Sequence, residues 1–328
     1  MSVNEEPGQW IPQRSPGQTT GTGPSGRRLL ITAVAIALLA GIAAHLLSRR
    51  EELAYVQRLS STVLLTALGC QFLSQLFWNE AMLVPLRAYM KLGYWELFMV
   101  RSGGFLVGAL VPVAGNLAVR MAYLKRRGLT YSDFAWATMV SNIVALLAAA
   151  VLAVMAVGTL WMVTGALPSP VLVLTAAVLG LGPTGVAALR VLPRLAGHSR
   201  FQRWRWLSGM SSHRAGLGTL TAVLGFSFAR HAFSFISFGV LYQALARVPS
   251  GFLTGGLVYA ITSPIRIVTI TPGNLGVNEW VVAAVGKLLS FDLTTGLIVA
   301  LVFRGLSLAA QGLGVLLAAA WVGLRGQP

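Results

Sequence analysis

The sequence predicts an all-α polytopic membrane protein, with about six full spans, two re-entrant broken-helix segments and an inverted repeat. Three observations lead there. Apolar types make up 55% of the 328 residues and charged types 10%, with a mean hydropathy of +0.72, against roughly 25% charge in soluble domains. So few charges cannot cover a water-exposed surface, and so apolar a chain does not stay disordered. Second, 25 Lys and Arg stand against 9 Asp and Glu, a formal net charge of +16, and the basic residues flank apolar runs. That placement follows the positive-inside rule and suits anionic headgroups. No nucleic-acid motif accompanies it, so nucleic acid is not an expected partner. Third, two of the apolar stretches are interrupted at similar motifs of Pro, Gly and Asn.

Taken in order, residues 1–28 are rich in Gly, Pro, Gln, Ser and Thr and read as a disordered tail. Arg27 and Arg28 then lead into the first apolar run, Leu29 to Leu47. A cleaved signal peptide would show the same basic start and small residues such as Ala43 and Ala44. The long polar leader, and a run close to the roughly 20 residues of a bilayer span, favour a retained helix. Further full spans are expected at about 62–84, 134–164, 170–190, 217–246 and 293–322, and broken ones at about 95–124 and 252–289. The membrane domain so defined covers 29–323, with 324–328 as a short tail.

The first broken stretch is interrupted by Val111-Pro112-Val113-Ala114-Gly115-Asn116, the second by Thr271-Pro272-Gly273-Asn274-Leu275-Gly276. Pro112 and Pro272 remove a backbone donor, and Gly115, Gly273 and Gly276 favour non-helical backbone. Each stretch should therefore split into two short helices. At membrane depth such backbone is tolerated only inside protein or along a watery cavity.

Orientation follows from the basic loops. The loop at about 190–216 holds Arg190, Arg194, Arg200, Arg203, Arg205 and Arg214 and no acid, which places it in the cytoplasm. Counting back, Pro168-Ser169-Pro170 is external and Lys125-Arg126-Arg127 internal, with both termini cytoplasmic. Arg49, Arg50 and Arg58 run against this assignment. The first broken segment then opens from the cytoplasm and the second from outside. Gly115-Asn116-Leu117-Ala118-Val119 and Gly273-Asn274-Leu275-Gly276-Val277 match at four of five positions, and each precedes an acid that opens a long span, Asp133 and Asp292. Opposite sense and shared motifs together resemble the inverted repeats of secondary transporters, whose sites sit at paired broken helices.

Charges within apolar spans are costly and so mark functional candidates. Arg101 and Arg120 bracket the first break, Arg266 and Glu279 the second, and Arg304 lies well inside the last span. Arg304 either forms a structural ion pair with Glu279 or holds a substrate group. Arginines in excess over acid suit a phosphate, gripped by guanidinium forks, and helix starts after Gly115 and Gly273 add backbone donors. Arg101, Arg120, Arg266, Glu279 and Arg304, with Asn116 and Asn274 at the breaks, form the candidate substrate site. Glu80, Asn79 and Glu96 read as interfacial caps and His231 as a packed polar residue. Trp95, Trp136, Trp161, Trp204 and Trp321 fit interfacial belts. One cysteine, Cys70, allows no intrachain disulfide. No nucleotide loop, catalytic triad or metal motif occurs, so neither a cofactor nor a metal is expected.

The first break with Arg120 and Tyr123-Leu124-Lys125-Arg126 that follow it, and the second break running on through Val277-Asn278-Glu279, resemble two blocks of a known family. It is the flippase-like membrane region of lysylphosphatidylglycerol synthases, and the similarity extends over about residues 30–322. The resemblance implies about eight helical segments with two re-entrant pairs, and translocation of lipids or lipid-linked sugars. The sequence departs from the family at Asn274, where a second Gly is usual, and at Ser141-Asn142, where a Glu-Arg pair is common. No aminoacyl-transferase or glycosyltransferase domain is expected in this chain, so it is not expected to be an enzyme. Two functions follow: a non-ATP-driven flippase or scramblase for an anionic or glycosylated lipid of the cytoplasmic membrane, or a membrane scaffold serving a separate glycosyltransferase or lipid synthase.

Overall fold

The computed structural model describes residues 26–49, 51, 54–110, 115–196, 215–246, 250–266 and 274–324. Among the described residues there are ten α-helices and no strand: α1 (Gly26–Ser48), α2 (Ser61–Leu86), α3 (Tyr94–Leu110), α4 (Gly115–Arg126), α5 (Tyr131–Thr164), α6 (Ser169–Ala196), α7 (Leu217–Ala246), α8 (Gly251–Thr262), α9 (Val277–Leu288) and α10 (Leu293–Leu324). Short 3-10 turns cover Ala54–Arg58 and Ser263–Arg266. Five helices, α2, α5, α6, α7 and α10, are long and apolar enough to cross a membrane, and α1 adds the shorter apolar stretch Ile36–Ser48. The expected polar tail and most of the arginine loop, together with Pro112, Pro272 and Gly273, lie outside the described residues.

The helix ends follow ordinary capping chemistry. Thr130 accepts from the Asp133 backbone N–H at 3.2 Å while Asp133 Oδ2 accepts from the Thr130 N–H at 3.1 Å, a reciprocal box that opens α5. Asp292 Oδ2 instead acts as a simple N-cap of α10, accepting from the N–H groups of Thr294 at 2.8 Å and Thr295 at 3.3 Å. Gly165 ends α5 in the left-handed region, at φ 71°. Both acids expected to open long spans therefore do so, by satisfying the free donors of a first turn.

The two broken stretches do split, and each pair of short helices folds back on itself. In the first, a Cβ on Gly104 would lie 3.1 Å from the Asn116 carbonyl, and one on Gly108 would lie 2.9 Å from Asn116 Cβ. Glu96, at the start of α3, receives hydrogen bonds from Tyr123 and Arg127 at the end of α4. Residues lacking a side chain thus let α3 and α4 lie against each other as an antiparallel hairpin. In the second, Tyr242 of α7 touches Gly255 near the start of α8 and Gly286 near the end of α9, which is again the closeness of an antiparallel pair.

At the centre α2 and α7 pack extensively and run antiparallel. Ser237 Oγ donates to the Ala67 carbonyl, Ser74 and Ser234 hydroxyls meet at 2.8 Å, and the Phe77 ring stacks on Phe233. Each long helix then reaches across to the opposite hairpin: α10 packs on α3, and α5 packs on α8. The largest apolar core surrounds the second hairpin, with Phe238, Tyr242, Tyr259, Phe291 and Phe303 buried together. A smaller one, built on Leu83, Leu97, Leu124 and Phe134, sits at the base of the first. Trp136 departs from the expected interfacial belt: it is 2% exposed and packs with Ala81, Val140 and Leu189. Its place on the inward face of α5 removes it from the interface.

Candidate functional site

Inside such a bundle every guanidinium needs acceptors or π faces, because lipid supplies neither. Arg101 of α3 is 1% exposed. Its Nη1 donates to Gln75 Oε1 at 3.0 Å and its Nη2 to the Gln75 carbonyl at 3.1 Å, and it lies over Trp78, 4.5 Å from the ring centre. Arg120 of α4 is also buried, with Nη1 against Met82 Sδ at 3.3 Å and the Phe134 ring beneath it. Arg101 also donates to Ser102 Oγ at 3.4 Å, so the first hairpin holds two buried cations by neutral polar, sulfur and aromatic contacts.

The second half is arranged differently. Arg266, in the 3-10 turn after α8, faces Tyr259 and Phe303 at 4.9 Å each and Phe238 at 5.7 Å. Tyr259 is in turn hydrogen-bonded to His231 Nδ1 at 2.9 Å. Arg304 of α10 donates from Nε to Glu279 Oε1 at 2.5 Å and from Nη2 to the Asn274 carbonyl at 3.1 Å. Glu279 is fully buried, and its other oxygen accepts from the Gly276 N–H at 2.8 Å, at the start of α9. Gly276 itself adopts φ 81°, and a Cβ there would lie 2.4 Å from Leu38 Cβ of α1. Only glycine fits that turn. Asn274 likewise serves the turn, at φ 54° with its amide on the Ile265 carbonyl.

One residue of this set escapes the sequence reading. Arg230, near the middle of α7, stands over the same Trp78 ring as Arg101, 4.1 Å from its centre. The signal was available, since Arg230 is as deep in its span as Arg304 is in α10. With it the arginines form one row. Arg101 and Arg230 share the Trp78 ring, Arg120 lies against Gly104 near Arg101, and Arg266 rests on Tyr259, which His231 next to Arg230 holds, and on Phe303 next to Arg304. The structure thus brings Arg101, Arg120, Arg266, Arg304 and Glu279 into one electrostatic neighbourhood. Asn116 stands beside Gly104 and Gly108 at the start of α4, and Asn274 under Arg304; neither shares a hydrogen bond with the unpaired arginines.

Charge does not balance along the row. Of these five arginines only Arg304 has a carboxylate partner among the described residues; Arg101, Arg120, Arg230 and Arg266 have none. Buried donors also go unused: Nε of Arg101, of Arg120 and of Arg266, and Nη2 of Arg266, meet no acceptor. Leaving such groups unmet inside a protein is expensive. The arrangement is chemically suited to an anion, or to water that an anion displaces.

A family model described as the lysylphosphatidylglycerol synthase TM region matches residues 27–314. No curated protein and no solved structure matches the chain. With nearly its whole helical bundle inside that match, the chain is a multi-pass membrane protein and belongs to the family of the lysylphosphatidylglycerol synthase TM region.

Proposed function

We propose that the protein is a non-ATP-driven lipid flippase or scramblase, passing an anionic or glycosylated lipid across the cytoplasmic membrane without a cofactor and without enzymatic chemistry. The observation that carries this reading is the row of five guanidiniums with a single carboxylate, joined through shared aromatic faces inside the bundle. Bidentate guanidinium forks suit phosphate. A headgroup moving from one arginine to the next would keep a partner throughout its passage.

The architecture we propose for this task is an inverted repeat, α1–α5 against α6–α10, each with two long helices, a hairpin and a third long helix. The corresponding helices α2 and α7 run antiparallel and meet at Ser74 and Ser234, and the exchange of α5 and α10 onto opposite hairpins is what a two-fold axis in the membrane plane would produce. Both hairpins are then re-entrant, the first from the cytoplasm and the second from outside, with both chain termini cytoplasmic. Cysteines placed by Ser169→Cys and Ser208→Cys in a Cys70→Ser background test this: an impermeant reagent outside the cell should label the first only.

Function is tested by reconstitution into ATP-free liposomes with labelled anionic, zwitterionic and glycosylated lipids, scoring leaflet exchange. Exchange of an anionic or glycosylated lipid, reduced by Arg101→Gln, is the expected result. No exchange of any lipid would overturn the proposal in favour of a scaffold for a separate glycosyltransferase or lipid synthase.

A further inference from the structure

A second basic feature lies away from the arginine row, on the outer face of α6. Pro183, Val186, Ala187, Arg190, Val191 and Arg194 recur every three or four residues and so share one side of that helix. Together with Leu147 of α5 they line an open groove of about 610 Å³. The groove has a structural cause. A Cβ on Gly182 would lie 3.0 Å from Leu147 Cα, and one on Gly185 would lie 2.8 Å from Ile143 Cγ2. The helices are therefore pressed together at these two glycines and leave a furrow beside the contact. Pro183 withholds a backbone donor at the same level.

The two ends of the groove differ in chemistry. Toward the middle of α6 its walls are aliphatic. Toward the end of the helix at Ala196 they carry Arg190 and Arg194, one turn apart and both exposed. No Asp or Glu occurs anywhere from Phe134 to Asn278, so neither α5 beyond its cap nor any of α6–α8 offers these guanidiniums a carboxylate. Positive-inside placement alone would account for arginines at a span end, but not for an aliphatic furrow leading up to them. An amphiphile with an anionic head and a hydrocarbon chain matches both ends at once.

We propose that this groove binds one anionic glycerophospholipid, its phosphate between Arg190 and Arg194 and an acyl chain against Leu147, Val186 and Ala187. The site is a lateral one, independent of the central row and of any transport through it. Being made of two fixed cations and no acid, it discriminates by net headgroup charge. Phosphatidylglycerol is held and phosphatidylcholine, whose choline offsets its phosphate, is not.

The test uses the full-length protein purified in detergent and mass spectrometry of the intact complex after incubation with equal amounts of the two lipids. Wild type should retain phosphatidylglycerol about tenfold over phosphatidylcholine. R190Q/R194Q should reduce this retention to the phosphatidylcholine level, while R190K/R194K, which keeps the charge, preserves a preference and controls for folding. A187W fills the furrow with both arginines intact and should also abolish retention; millimolar inorganic phosphate should not compete. Equal retention of the two lipids by wild type would overturn the proposal. So would a glutamine variant that binds as wild type does, or displacement of the lipid by phosphate alone. These comparisons are made in an Arg101→Gln background, which removes lipid held by the central row, so failure of the transport reading and failure of this site are read separately.

Discussion

The two hairpins handle charge in opposite ways. In α8–α9 the acid is internal: Glu279 is fully buried, caps α9 through the Gly276 N–H and pairs with Arg304. In α3–α4 the acid, Glu96, sits at the hairpin base with Tyr123 and with Arg127, whose side chain is 53% exposed. The interior of that first hairpin holds Arg101 and Arg120 with no acid at all. The interior of the first hairpin is thus open in charge, while the second spends its one acid on Arg304 and leaves Arg266 without a carboxylate. The arginine most conspicuous in the sequence, Arg304, is already paired with a carboxylate, and Arg101, Arg120, Arg230 and Arg266 are not.

The largest effect should come from removing the internal acid. Glu279→Gln leaves the half-buried Arg304 without its counter-charge and weakens the start of α9, a loss of about 3 kcal/mol. It should show as a collapse in folded yield and melting temperature in detergent. Glu96→Gln, at the surface, should change the melting temperature little; equal losses for the two would break the comparison. Glu279→Ala combined with Arg304→Ala sharpens it. With no unpaired charge left, the double variant should recover yield relative to either single change, and full lipid exchange at that yield would show that the substrate does not use Arg304.

Next in size is Gly276→Ala, which must hold a side chain at φ 81° against Leu38. We expect a loss of roughly 2 kcal/mol or more, measured as thermal stability in the same detergent. Arg101→Lys comes third. It keeps the charge of the open hairpin but loses the fork over Gln75, so exchange should fall about tenfold at normal abundance. Unchanged exchange would remove Arg101 from the pathway. The smallest effects belong to the caps. Asp133→Ala and Asp292→Ala should each lower stability by about 1 kcal/mol, read as melting temperature in the same detergent; no loss for Asp292→Ala would argue that its side chain does not cap α10.

Much of this was legible in the sequence because the signals are local. Hydropathy over a window marks a span, Pro and Gly mark a break, and an acid before an apolar run marks a helix start; Asp133 and Asp292 do in the structure what their positions announced. Their physical basis is satisfaction of backbone groups within a few residues, which needs no knowledge of the rest of the chain. The buried arginines were also visible as costly charges in apolar surroundings.

What the tertiary structure alone decided is which of those charges are compensated. Whether a guanidinium is free to take a substrate depends on distances of a few ångströms between helices far apart in sequence. Arg304 finds Glu279 across 25 residues, and Arg230 meets Arg101 only because α2 brings Trp78 between them. Coulomb energy and cation–π attraction fall off over such distances. A sequence can therefore place a charge in the membrane, but only the packing of α2, α3, α7 and α10 determines whether that charge meets a carboxylate or aromatic faces alone.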